Sequence, residues 1–368
     1  MNATQQLHEL GQSLWLDNIT RGLLESGTLQ RYMREFAITG LTSNPTIFDH
    51  AIAGSNSYDG AIRDKAAAGK SGEALFFDLA LEDLTQAADL FRPVHQATAG
   101  VDGWVSLEVS PLLANDAAAT VREAVQLHAR AARPNLFIKI PGTPAGVIAI
   151  EESIFAGVPI NVTLLFSRGQ YLAAADAYMK GIERRIAAGR DPKVASVASI
   201  FVSRWDVAVK DQVAPALHNH LGIAIAQRTY RSYREVLASA RWRKLADAGA
   251  QAQRLLWAST GTKDPAAPDT LYLQALAAPD TINTIPEKTL LAFADHGTVS
   301  GSMAADGAEC EETLAAFVHA GVDDAALASR LQQEGAESFS KSWSDLMAVI
   351  ASKSAALAKG QSGAKGQS

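Results

Sequence analysis

Closure of an α/β chain into a (β/α)8 TIM barrel, with extra helices after the second strand and at the carboxyl end, is what this sequence predicts. Three observations carry the prediction. Eight short runs rich in Val, Ile, Leu, Phe or Thr recur along the chain, each is followed by a turn signal, and longer segments of helical period separate them. Strand, crossover helix, strand is the pattern of a parallel sheet, and 368 residues suit a closed barrel. A doubly wound open sheet is the alternative.

The strands are expected at 14–20, 39–44, 104–110, 136–141, 159–167, 197–203, 255–259 and 281–285. After the third, Asn115 or Asp116 caps a helix over 117–132 with Val121, Ala124, Val125 and His128 on one face; after the fourth, Thr143 followed by Pro144 opens a helix ending near Gly157. The interval between the second and third strands is too long for one helix, and 71–99 reads as an added helix pair. Residues 327–359 read as one or two amphipathic helices carrying Phe339, Trp343, Leu346 and Ile350 at helical spacing, a face for packing on the barrel or a partner subunit. The Gly/Ser/Lys repeat over 359–368 offers no apolar surface and is expected to be disordered, leaving 1–358 as a single domain.

The 33 basic and 39 acidic residues give a net charge of −6, which offers no electrostatic footprint for nucleic acid. Hydrophobic residues make up 48% and charged residues 20%, so the chain can bury a large core. Cys310 is the single cysteine, excluding an intramolecular disulfide and any multi-cysteine metal site and fitting a reducing compartment. The amino terminus lacks the basic and apolar regions of an export signal, and no uncharged run approaches the roughly 18 residues of a membrane span. A soluble, cytoplasmic protein is therefore expected, and Asn161-Val162-Thr163 is not credible as a glycosylation site.

In such a barrel chemistry lies at the carboxyl ends of the strands, so polar residues inside apolar runs there are informative. Asp17, Asn44, Glu108, Lys139, Asn161, Thr163 and Ser199 are placed in this way. Lys139 stands out, because Leu-Phe-Ile-Lys-Ile-Pro sets it opposite Ile138 and Ile140 in a β-branched run, and lysine is almost never fully buried without a partner. Burial disfavours charge, and the free amine is the state that attacks a carbonyl to form a Schiff base. An edge-strand lysine reaching solvent is the other reading. Asp17 and Glu108 serve equally as strand-end caps or ion-pair partners, but two carboxylates and one lysine on separate strands supply a nucleophile and two proton-transfer groups. His218 and His220 lack a matching carboxylate cluster for a metal, Gly297-Thr-Val-Ser-Gly301 lacks a dinucleotide fingerprint, and no cofactor is called for.

Four segments, Thr42-Ser-Asn-Pro-Thr46, Phe137-Ile-Lys-Ile-Pro-Gly-Thr143, Asn161-Val-Thr-Leu-Leu-Phe-Ser167 and Trp257-Ala-Ser-Thr-Gly-Thr-Lys263, resemble the transaldolase family. They stand in the family's order, and the likeness runs from Asp17 to about Gly297. The resemblance implies a Schiff-base transfer of dihydroxyacetone in the non-oxidative pentose phosphate pathway, from sedoheptulose 7-phosphate or fructose 6-phosphate to glyceraldehyde 3-phosphate or erythrose 4-phosphate. It implies Lys139 as the Schiff-base lysine, Asp17 as acid/base on the C4 hydroxyl, and Glu108 acting through a water held partly by Thr163. Asn44 and Asn161 would bind dihydroxyacetone hydroxyls with Ser199 nearby, and Arg204, three residues after Phe201, would bind phosphate. Some members carry an arginine shortly after the seventh-strand serine, where this sequence reads Ser259-Thr-Gly-Thr-Lys263; Lys263 then joins Ser259 and Arg204 as a candidate phosphate ligand, with Gly261, Thr262 and loop amides assisting. Alternatives are a fructose 6-phosphate aldolase and a non-catalytic sugar-phosphate-binding barrel. Sugar phosphates are the expected partners, without nucleic acid or membrane, in a monomer or homodimer.

Overall fold

The computed structural model describes residues 2–307 and 310–364, with side chains as far as residue 358. Eight parallel strands form a closed barrel: β1 (Ser13–Leu16), β2 (Ile38–Thr42), β3 (Val105–Glu108), β4 (Leu136–Pro141), β5 (Ile160–Leu165), β6 (Ser196–Phe201), β7 (Arg254–Ala258) and β8 (Thr281–Ile285). Because β8 pairs with β1, the open doubly wound sheet is excluded. Every expected strand is present, and the ends of β4 and β8 coincide with those expected. Several others stop two to four residues early, because at their carboxyl ends the chain leaves the ladder and turns toward the next helix. Asp17, Asn44 and Ser259 stand on those turns, and Ser203 opens the next helix.

Side chains on a strand alternate between faces, and residues paired across parallel strands share a face. The pairing of Glu108 with Lys139 and of Lys139 with Asn161 therefore sets three polar groups side by side within the barrel. Two residues earlier on the same strands stand Ser106 and Phe137, themselves paired. At this lower level the interior is mainly apolar: Trp104 stacks on Phe137 with ring centroids 4.0 Å apart, and Trp15 lies 6.2 Å from Phe137. Gly40 makes room for them, since a Cβ there would fall 2.6 Å from the Trp104 carbonyl oxygen and 2.7 Å from Trp15 Nε1. The three aromatic rings thus form an apolar layer directly beneath the polar groups of the carboxyl end.

Asp116, not Asn115, caps the helix Ala117–Ala131, its carboxylate accepting from the Ala119 amide at 2.9 Å. Thr120, Ala124, Leu127 and Ala131 form the buried stripe, whereas Val125 is 39% exposed. The inward face is thus rotated by about one residue from the expected Val121, Ala124, Val125 and His128 set. Val121 and His128, half-buried, fall at the edge of this stripe. Thr143 caps Pro144–Ala156 by accepting from Gly146, and Gly157 ends it in the left-handed region at φ 93°.

Between β2 and β3 the chain forms helices Pro45–Gly54, Asp59–Ala67 and Gly72–Ala97. The expected helix pair over 71–99 is a single helix, Gly72–Ala97, with Pro93 inside it four residues from its end; its missing amide takes the helical partner from the Asp89 carbonyl without ending the helix. The carboxyl-terminal helix Asp324–Ala364 is also continuous, and it packs over the Pro45–Gly54, Asp59–Ala67 and Gly72–Ala97 helices and against β5. Its Phe339, Trp343, Leu346 and Ile350 are buried as the spacing predicts. Trp343 lies edge-on to Phe76 at 5.0 Å and donates to Glu73 at 2.9 Å, while Lys353 reaches the Ser55 carbonyl and Asp59. Helical backbone continues beyond residue 359 to Ala364; residues 365–368 of the expected tail lie outside the described residues. Among the described residues no helix is long and apolar enough to cross a membrane.

Candidate active site

A cavity of about 140 Å³ opens at the carboxyl ends of the strands, and every expected site residue except Glu108 lines it. Asp17, Asn44, Lys139, Asn161, Thr163, Ser199, Phe201, Arg204, Ser259 and Lys263 are gathered there from positions spread over 247 residues of chain. Glu108 lies just behind the wall, beside Lys139.

Lys139 is 6% exposed, and its ammonium reaches two partners: the Ser43 carbonyl oxygen at 2.9 Å and Glu108 Oε2 at 3.4 Å. It is a buried lysine and not a snorkelling one, and its partners leave it facing the cavity. Burial pushes the Glu108 carboxyl above the usual carboxylate range; the Lys139 charge opposes that shift, and the negative charge of Asp17 reinforces it. Asp17 is partly exposed to the cavity, yet desolvation still raises its carboxyl above the ordinary value against the attraction of Lys139, the Thr42 hydrogen bond and the field of Lys263. Both carboxyls are thereby moved toward a protonation state that can change during a reaction. The strand-end cap reading of Asp17 does not hold, because Thr20 caps the next helix by accepting from Leu23.

The neighbouring polar groups are held in order. Thr42 Oγ1 donates to Asp17 Oδ1 at 3.0 Å and lies 2.8 Å from Thr284 Oγ1. A hydroxyl has one hydrogen, so with Thr42 giving its own to Asp17, Thr284 donates to Thr42. Asn161 donates to Ser106 Oγ at 3.1 Å and accepts from Ser199 Oγ at 2.7 Å, which fixes its amide orientation. Asn44 uses its Oδ1 to cap the helix Pro45–Gly54, leaving its amide N–H groups for the cavity. Thr163 Oγ1 is buried with no hydrogen-bond partner, the state of a hydroxyl awaiting a water or a substrate atom.

At the outer rim Arg204 lies over the Phe201 ring at 5.2 Å, and no carboxylate forms an ion pair with it among the described residues. Burial lowers its pKa, opposed by the charge of Glu334. Lys263 is exposed, and the adjacent Asp264 is engaged by Lys210 at 3.2 Å, Asn219 at 3.0 Å and the Ala266 amide at 3.1 Å. Lys263 therefore keeps its charge free at the cavity mouth. Thr262, expected to assist an anion, instead donates to the Pro268 carbonyl and closes its own loop. Ser259, at φ 56°, shares a 2.9 Å hydrogen bond with Ser203. Among the described residues His218 and His220 join no group of metal-ligating side chains.

Sequence reasoning missed Thr42, Ser106, Thr284 and Phe339. The first three follow the same two-residue alternation that singled out Lys139, but Ser and Thr attract no notice in a strand. Phe339 reaches the cavity wall from the carboxyl-terminal helix, which spacing identified only as a packing face.

The model of the transaldolase/fructose-6-phosphate aldolase family matches residues 14–350. The transaldolase of Thermobifida fusca is 45% identical over 361 residues, 96% of this chain and 98% of that protein. Those of Arthrobacter sp. and Parafrankia sp. are 43% and 45% identical, each over 94% of this chain and 96% of their own length. A match of that extent, on a barrel that gathers a buried lysine and two displaced carboxyls at the catalytic end, places the chain in the transaldolase/fructose-6-phosphate aldolase family, as an enzyme of the transaldolase kind.

Proposed function

We propose that Lys139 forms a Schiff base with a ketose phosphate and that the enzyme passes the resulting dihydroxyacetone unit to an aldose phosphate. The observation that carries this reading is the buried Lys139 amine between Glu108 and the cavity, with Asp17 across from it. Glu108 takes a proton from the ammonium, and the free amine attacks C2 of the ketose to give a carbinolamine. Glu108 returns that proton to the carbinolamine hydroxyl, through a water held by Thr163, and the hydroxyl leaves as water. The iminium so formed is an electron sink. Asp17 accepts the C4 hydroxyl proton, the C3–C4 bond breaks, and its electrons flow to nitrogen, leaving an enamine on Lys139 and a free aldose phosphate. An incoming aldehyde is attacked by the enamine carbon, Asp17 returns its proton to the new C4 hydroxyl, and hydrolysis of the imine restores Lys139.

Asn44, Asn161 and Ser199 fit as partners for the hydroxyls of the three-carbon unit, and Phe201 and Phe339 as apolar walls. Arg204, Ser259 and Lys263 fit the phosphate, with Lys263 as a point charge where an arginine would form a fork. Sodium borohydride added with fructose 6-phosphate is expected to fix a label on Lys139. An unlabelled lysine would leave only a sugar-phosphate-binding barrel. Fast steady release of free dihydroxyacetone without an acceptor would instead mark an aldolase. For the phosphate end, Lys263→Ala is expected to raise KM for fructose 6-phosphate and weaken inhibition by inorganic phosphate while borohydride trapping of dihydroxyacetone is unchanged. An unaltered KM in that variant would leave the phosphate to Arg204 and Ser259.

A further inference from the structure

Thr163 and Leu164 lie at an irregularity in the barrel. Between Val162 and Leu165 the pairing of β5 with β6 slips, three steps on β5 answering two on β6, and Leu164 adopts φ 56°. That conformation is costly for a branched side chain and persists where surrounding structure enforces it. The bulge turns the Leu164 carbonyl away from β6 toward the carboxyl-terminal helix. There the Gln332 amide donates to Leu164 O and Gly142 O, both at 2.9 Å. The Gly142 amide in turn donates to the Thr163 carbonyl at 2.7 Å. One side chain thus ties Gly142, three residues beyond Lys139, to Leu164, the residue that follows Thr163. One turn further along the helix Gly335 lies against this bulge, where a Cβ would come within 2.9 Å of Leu164 Cδ2 and 3.2 Å of Arg204 Nη1.

We propose that Gln332 is a positioning residue: by holding the β5 bulge it aims the unpartnered Thr163 hydroxyl at the Lys139–Glu108 pair. The carboxyl-terminal helix is then part of the apparatus that forms and hydrolyses the Schiff base. This inference rests on the water-holding role proposed for Thr163. Its two donors matter more than its bulk, because an apolar side chain or a carboxylate of similar size satisfies neither carbonyl.

Gln332→Leu and the near-isosteric Gln332→Glu are therefore expected to lower kcat about tenfold, misplacement of a reacting group being costly at small displacements. KM for fructose 6-phosphate should stay within about twofold, since Gln332 does not reach the phosphate residues. Coupling gives the readout that simple destabilisation would not move: in a Thr163→Val background the added loss from Gln332→Leu should shrink to less than about twofold. Losses that multiply in the double variant, or single variants with normal kcat and only a lower Tm, would overturn the proposal. A slow Thr163→Val enzyme beside normal Gln332 variants removes this inference alone, whereas a normal Thr163→Val enzyme removes the role of Thr163 and this inference with it. If Gln332→Leu does not fold, Gln332→Glu carries the same comparison.

Discussion

Lys139→Ala is expected to give a folded protein with no measurable transfer from fructose 6-phosphate to erythrose 4-phosphate. The nucleophile has no substitute: among the lining residues the other lysine, Lys263, is exposed at the rim. The fold tolerates the loss because Lys139 hydrogen-bonds only the Ser43 carbonyl and Glu108, and the carboxyls it leaves behind can take up protons and avoid remaining as buried charges. Lys139 is the first of the groups that oppose the upward shift of both Glu108 and Asp17, so both carboxyls should rise further in the variant. A carboxyl raised in the folded state binds more protons than in the unfolded chain. Its contribution to stability is fully present below the ordinary carboxylate range and is lost as pH rises through the raised value. The variant should accordingly melt at higher temperature in mild acid than at neutral pH, and more so than the parent. Transfer activity within about tenfold of the parent would end the assignment of Lys139 as the nucleophile.

The barrel is legible because each strand is a short apolar run and each crossover carries a local stop and start, such as Thr143-Pro144 and Gly157 around one helix. What periodicity does not set is the exact inward direction of a helix, as Val125 shows, since packing distance and not apolarity alone chooses between adjacent stripes. Single polar residues in apolar strands made Lys139, Asp17 and Glu108 visible. Thr42 and Thr284 were not, although they lie on the same inward face, because a β-branched hydroxyl residue is ordinary in a strand and its role depends on what stands across the barrel. Phe339 and Gln332 were out of reach for a different reason. Gln332 meets Gly142 across 190 residues of sequence, and the side of the barrel that a terminal helix covers is fixed by the added helices after β2 on which Trp343 and Lys353 dock.

Asp17→Asn separates covalent attachment from bond cleavage, and its expected effect is a loss of about 10²–10⁴ in transfer rate, the usual cost of removing a general base. The substitution suits the site. An amide oxygen accepts the Thr42 hydroxyl as the carboxylate does, and the Thr284–Thr42 contact keeps that hydroxyl oriented, so the side chain should hold its place. An amide also contacts the C4 hydroxyl but accepts no proton from it. Schiff-base formation belongs to Lys139 and Glu108 and should proceed. Borohydride added to the variant with fructose 6-phosphate should thus trap the intact six-carbon chain on Lys139, where the parent also yields the three-carbon fragment left by cleavage. Mass spectrometry of the labelled peptide distinguishes the two. A three-carbon adduct forming at the parent's rate would assign the C4 proton to another group, and a variant that unfolds would make Asp17 a structural member of the Thr42–Thr284 chain instead.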